Sequence, residues 1–84
     1  MRLVWQERAL SDLALRAEWS ASQAAAVVEA MERMADRGFS LGKPTDRPGV
    51  RYWPVPPLGV LYRVVGKDLR VIRVIDPRRL RTLP

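Results

Sequence analysis

The polar chemistry open to this sequence is mostly that of guanidinium groups. Lysine and arginine together number 15 against 9 aspartates and glutamates, and histidine and cysteine are both absent. The commonest general base, the commonest metal ligand and the thiolate nucleophile are therefore missing, and a disulfide framework is excluded. Asp, Glu, Lys and Tyr remain for acid–base work. An arginine, with a pKa above about 12, keeps its proton and serves to hold anions instead. No metal and no other cofactor is expected.

The cations are unevenly spread. Residues 1–42 hold five arginines and six acids, a net charge of −1, whereas residues 43–84 hold ten lysines and arginines and three aspartates, a net +7. Such a field favours an acidic partner, either nucleic acid or an acidic protein segment, and speeds encounter with it. Four arginines are the candidates for contact with a target: Arg51 next to a Gly- and Pro-rich loop, and Arg78, Arg79 and Arg81 in the tail. Arg63 and Arg73 sit within apolar runs, where each either pairs with a helix carboxylate or meets a partner. Trp5, Trp19 and Trp53 read first as packing anchors, and Trp53, beside Pro54, is also the aromatic candidate for a partner contact. Tyr62, Met31 and Met34 read as core residues.

These side chains need a scaffold, and 84 residues allow one domain spanning 1–84. Arg2-Leu3-Val4-Trp5 reads as a short strand. From Glu7 to Trp19 the apolar positions Ala9, Leu10, Leu13, Ala14 and Ala17 recur at helical spacing, leaving Asp12, Arg16 and Glu18 for solvent. Ser20 with Gln23 forms a capping-box pattern that opens a second helix. That helix carries a stripe of Ala24, Val27, Val28, Met31, Met34 and Ala35 up to Gly38, which tolerates the left-handed backbone of a helix stop. With almost no linker, the two helices form a hairpin. Residues 39–49 read as an irregular connection.

Three runs follow: Val50 to Trp53, interrupted at Pro54; Leu58 to Val65; and Leu69 to Ile75. Gly66-Lys67-Asp68 supplies a hairpin turn between the last two. Pro54, Pro56 and Pro57 put the first run partly at a sheet edge. The expected order is thus β-α-α-β-β-β, an α+β fold with a helical hairpin on one face of a small, mainly antiparallel sheet. Along the last run Leu69, Val71, Arg73 and Ile75 share one face, and Arg70, Ile72, Val74 and Asp76 share the other. One helical hairpin covers one side only, so the apolar side chains on the other side imply a partner-seeking face. The charges among the first 20 residues exclude a signal-peptide core or membrane span there, and a cytoplasmic location with no membrane partner is expected.

In this order the segments resemble the RelE/ParE toxin superfamily over nearly the whole chain. Ala9-x-x-Asp12-Leu13 is similar to the family's A-x-x-D-L. Leu41-Gly42-Lys43-Pro44 through Arg47-Pro48-Gly49-Val50-Arg51 resembles the loop by which ParE-type members enter their second strand. Val60 to Val64 and Leu69 to Val74 look like the family's final hairpin, and Asp76-Pro77-Arg78-Arg79 resembles its basic tail, often H-x-R-R.

The resemblance implies a type II toxin held inactive by a cognate antitoxin with an acidic, apolar segment, for which Trp53, Arg63 and Arg73 are the candidate contacts. ParE-like members inhibit DNA gyrase; RelE-like members cut mRNA on the ribosome. In the second case Arg51 and Arg79 are the catalytic candidates. RelE-like ribonucleases commonly have an arginine where Gly59 stands and a tyrosine beyond the tail arginines, which this sequence lacks. Both departures weaken the nuclease reading, and the loop Arg47-Pro48-Gly49-Val50-Arg51 favours the ParE-like branch; an inactive member or a basic nucleic-acid-binding module is the further alternative.

Overall fold

The computed structural model describes residues 1–38 and 42–78. The chain forms strand β1 (Arg2–Trp5), helices α1 (Glu7–Trp19) and α2 (Ala21–Arg37), and strands β2 (Lys43–Pro44), β3 (Arg51–Val55), β4 (Leu58–Val65) and β5 (Asp68–Ile75). The strands make one sheet in the order β1-β5-β4-β3-β2, parallel only between β1 and β5. The sheet therefore has five strands where four were expected. The addition is β2, which pairs Lys43 with Tyr52 and Pro44 with Arg51 inside the stretch read as irregular. Two residues carrying a proline give no alternation for a sequence pattern to detect.

Local chemistry sets the helix ends. Ser20 closes α1, where its N–H donates to the Arg16 carbonyl, and opens α2, where its hydroxyl accepts from the Gln23 N–H at 3.2 Å. The return half of the capping box is not made: the Gln23 amide oxygen accepts from Arg16 instead. Gly38 ends α2 at φ 73°, the left-handed conformation that glycine adopts without penalty. Strand β3 runs through Pro54, which stands opposite Gly59. A proline is accommodated because β2 reaches only as far as Tyr52, so among the described residues the outer side of β3 at Pro54 has no strand to bond.

Both helices pack on one face of the sheet. The core there joins Ala9 of α1 and Val27, Met31, Met34 and Ala35 of α2 to Leu58, Val60 and Tyr62 of β4 and Leu69, Val71 and Val74 of β5. The stripe predicted for α1 is narrower in the fold. Ala9 is buried and Leu13 packs against the core, but Leu10, Ala14 and Ala17 are exposed. Asp12 and Arg16, expected in solvent, turn inward to ion pairs. Trp5 and Trp53 pack on the core as anchors, whereas Trp19 does not.

A register shift changes the expected faces of β5. Tyr62 pairs with Val71 but Leu61 pairs with Arg73, so Ile72 is left over as a bulge. The extra residue reverses the alternation, bringing Val74 rather than Arg73 into the core opposite Val60. Arg73 and Ile75 move to the face of Leu61 and Gly59. No helix among the described residues is long and apolar enough to cross a membrane.

Gly42 ties the loop to the sheet. Its N–H donates to the buried Tyr62 hydroxyl at 2.6 Å, and its carbonyl accepts from Arg51 Nε and Nη2 at 3.1 and 2.8 Å. A Cβ there would overlap the Tyr62 ring and the Tyr52 carbonyl, neither of which has room to move. Gly42→Ala is expected to cost about 1–3 kcal/mol by overpacking, read as a lowered denaturation midpoint with an unchanged m-value.

Candidate functional site

The ion pairs of the second half of the chain lie along β5, and three elements position them. At its start, Arg2 of β1 donates to Asp68 through Nε and Nη2 at 3.0 and 2.8 Å, as the parallel pairing of Arg2 with Asp68 requires. Arg70 Nη2 approaches the same carboxylate at 3.7 Å, while Arg70 Nε is buried with no hydrogen-bond partner. The Arg2 hydrogen bonds hold the Asp68 carboxyl below its usual range.

Past Val71, β1 has ended and α1 lies beside β5. Asp12 takes the place of a neighbouring strand. Its carboxylate accepts the Val74 N–H at 2.9 Å and the fork of Arg73, Nε at 2.8 Å and Nη2 at 3.2 Å. Ala9, one turn earlier, is small enough to let α1 approach the sheet closely and is fully buried.

Beyond β5, Asp76 accepts Arg16 Nη2 at 3.1 Å, Arg78 Nε and Nη2 at 3.3 Å each, and the Arg78 N–H at 3.0 Å. The last of these is the bond of an N-cap, and Pro77 stands where a helical turn accepts proline best. The Arg78 side-chain bonds foremost, and then its N–H and Arg16, pull the Asp76 carboxyl down to about 2. Between the ends of α1 and β5 opens a groove of about 560 Å³, lined by Leu15, Trp19, Ile75 and these charged groups.

The opposite face of the sheet has a different make-up. The register places Val4, Tyr52, Leu61 and Ile75 there, all half-buried, together with Arg63 and Arg70. Arg63 is exposed and makes no ion pair among the described residues. Gly59 belongs to this face, and a Cβ at that position would overlap the Tyr52 ring.

Of the candidate target contacts, the described pair Arg51 and Arg78 stand at different points along the sheet. Arg51 lies against the loop carbonyl of Gly42, opposite Tyr62, whereas Arg78 lies beyond Ile75, which pairs with Gly59. Tyr62 and Gly59 are three residues apart on β4, about 10 Å. Arg79 and Arg81 lie outside the described residues. Of the three expected partner contacts, Trp53 packs against the core, Arg63 is on the opposite face, and Arg73 is paired with Asp12 at the β5 edge. Tyr62 is buried, as expected.

Sequence reading missed the groove. Leu15 and Trp19, four residues apart and so on one side of α1, fall off the core stripe; that offset was the available signal.

Neither a protein-family model nor a curated protein sequence matches the chain. Solved structures do match. A chain of the chromosomal ParDE TA system from P. aeruginosa superposes with a TM-score of 0.75 at 24% identity, covering 90% of this chain and 95% of that one. A chain of the RelBE2 toxin–antitoxin complex from Mycobacterium tuberculosis superposes with a TM-score of 0.73, also at 24% identity, covering 89% and 95%. The fold is RelE/ParE-like. The A-x-x-D-L resemblance acquires a physical meaning on this RelE/ParE-like scaffold: Ala9 admits α1 to the sheet, Asp12 closes the β5 edge, and Leu13 packs on the core.

Two outcomes follow from these contacts. Asp12→Ala strands the Val74 N–H and unpairs Arg73, and is expected to cost about 2 kcal/mol in equilibrium unfolding, whereas Arg73→Ala leaves the Val74 bond intact and costs less. Asp76, depressed to about 2 when folded, contributes stability that is present above the ordinary carboxylate value of 3.8 and lost as pH falls toward about 2, and the lowered Asp68 carboxyl acts in the same direction. Melting temperature should drop across that window, and Asp76→Asn should flatten the drop.

Proposed function

We propose that this chain is the toxin of a type II toxin–antitoxin pair, restrained by a cognate antitoxin whose acidic, apolar segment covers part of its surface. The observation that carries the proposal is the match of about nine-tenths of the chain to chains from a ParDE TA system and a RelBE2 toxin–antitoxin complex. The sheet face opposite the helices supports it, since half-buried apolar residues there adjoin the exposed Arg63. Arg63 is the antitoxin contact with its guanidinium still available. Trp53 contributes from the rim of the core. Arg73 reaches the partner only from the side of its guanidinium not engaged by Asp12.

For the target, the reading is ParE-like growth arrest by inhibition of DNA gyrase, with Arg78, Arg79 and Arg81 as contact residues and Arg51 reaching the target only through the side of its guanidinium not engaged by the Gly42 carbonyl. Cleavage of RNA at its own 2′-hydroxyl needs a base and a leaving-group acid beside an anion-stabilising cation. The described residues offer little for the first two. Tyr62 is buried with its hydroxyl engaged by Gly42 and the sequence has no histidine, while Arg51, the candidate cation, spends Nε and Nη2 on the Gly42 carbonyl. At Gly59 the Tyr52 ring occupies the space a longer side chain would need.

Inducible expression with two readouts tests this. The expected outcome is growth arrest with loss of plasmid negative supercoiling and intact transcripts, relieved by co-expression of the adjacent antitoxin. Codon-phased cuts on primer extension would transfer the chain to ribosome-dependent mRNA cleavage, and unimpaired growth would remove both.

A further inference from the structure

We infer that the cavity between the turn at residues 45–50 and the end of α2 is a binding site for a small phosphate ester of the mononucleotide class. The inference does not rest on the toxin reading, and it concerns neither the groove nor the sheet face opposite the helices.

The cavity measures about 610 Å³, inside the range of about 300–1,000 Å³ common to small-molecule sites. It lies on the helix-bearing side of the sheet. Arg51 pairs with Tyr62, whose side chain is buried in the core, so the Arg51 side chain leaves the sheet on that same side. Val64 and Gly38, at the end of α2, line the cavity with it.

Two guanidinium groups, those of Arg47 and Arg51, line the cavity, and among the described residues no carboxylate does. Arg47 is exposed and makes no ion pair among the described residues, not even with the adjacent Asp46. Arg51 is held through Nε and Nη2 on the Gly42 carbonyl, which leaves Nη1 for a ligand with little side-chain entropy still to be lost. From the opposite face Arg63 adds a third positive charge, its Nε 3.8 Å from where a Cβ on Gly49 would stand.

The backbone that bears Arg47 is set before any ligand arrives. The Val50 N–H donates to the Arg47 carbonyl at 3.1 Å, closing a tight turn with Pro48 and then Gly49 at its centre, and Gly49 has the positive φ of 78° that this turn demands. Thr45 Oγ1 accepts the Arg47 N–H at 3.2 Å and donates to the Val50 carbonyl at 2.9 Å.

Charge decides the class of ligand. Two uncommitted cationic edges suit a dianion, and a phosphate monoester carries a charge of about −1.5 to −2 at pH 7 on three acceptor oxygens. The buried Val50 and half-buried Val64 offer the rest of the molecule apolar contact, while the plane of a guanidinium stacks on a flat ring. A nucleoside monophosphate has both parts.

The test titrates the full chain calorimetrically with adenosine 5′-monophosphate, and in parallel with adenosine, succinate and a 5′-phosphorylated oligonucleotide. Saturable binding of the monophosphate, weakened by salt, is expected, with adenosine and succinate about tenfold weaker or more. Arg47→Gln should weaken binding about tenfold at an unchanged melting temperature, since Arg47 has no ion pair to lose. Arg51→Gln should weaken it as much and also lower the melting temperature, because the Gly42 carbonyl loses two donors. Arg8→Gln, on α1, should leave the affinity as it is.

Absence of binding by the monophosphate would overturn the inference, as would equal binding of adenosine or succinate, or an equal loss in Arg47→Gln and Arg8→Gln. Binding of the oligonucleotide alone would overturn the small-molecule source and assign the phosphate to a strand end. Growth arrest by a chain that binds no monophosphate would remove this inference and leave the toxin reading standing; monophosphate binding without growth arrest would do the reverse.

Discussion

Where β1 stops at Trp5, the backbone of β5 continues without a strand beside it, and one carboxylate on α1 completes the hydrogen bonding that a strand would otherwise supply. Asp12 accepts the Val74 N–H and both edge nitrogens of Arg73, so one side chain closes a sheet edge, neutralises a cation and fixes α1 against the sheet. An open edge is a template for unwanted pairing and an unpaired N–H is costly, so the contact serves specificity as well as stability. The groove at the end of α1 owes its shape to this anchor, because Leu15 and Trp19 project from the same helix just beyond it.

The bulge at Ile72 makes the arrangement possible. Without the extra residue, Arg73 would follow Val71 into the helix-covered face and Val74 would leave it. With it, a valine fills the core and the arginine is free to reach back to Asp12 at the edge. A local irregularity in one strand thus decides which of two adjacent residues is buried and which is ionic. The same alternation, continued through Arg63, Leu61 and Tyr52, gives the opposite face its mixture of half-buried apolar groups and exposed charge.

Arginines in this chain divide into those committed to internal geometry and those left for partners. Arg51 is committed to the Gly42 carbonyl, Arg2 to Asp68, Arg73 to Asp12 and Arg16 to Asp76. Among the described residues, Arg63 and the outer edge of Arg78 are examples of those that remain available. A high positive charge is therefore a poor guide to where a partner sits, because the planar fork of arginine satisfies carbonyls and carboxylates within the fold as readily as those of another molecule.

Period and punctuation in the sequence determined the secondary structure. The 3.6 spacing of Val27, Met31 and Met34, the Ser20 cap, the Gly38 stop and the glycine turn at Gly66 act over a few residues and were legible, as was the resemblance that named the RelE/ParE-like order of elements. Tertiary structure alone decided that Lys43–Pro44 joins the sheet, that Ile72 is extruded, that Asp12 and Arg16 face inward and that Trp19 faces water. Each of these depends on a separate element of the fold and on how far that element extends. Local patterns carry no record of such distances, so the placement of charges and the groove appear only when the chain has closed on itself.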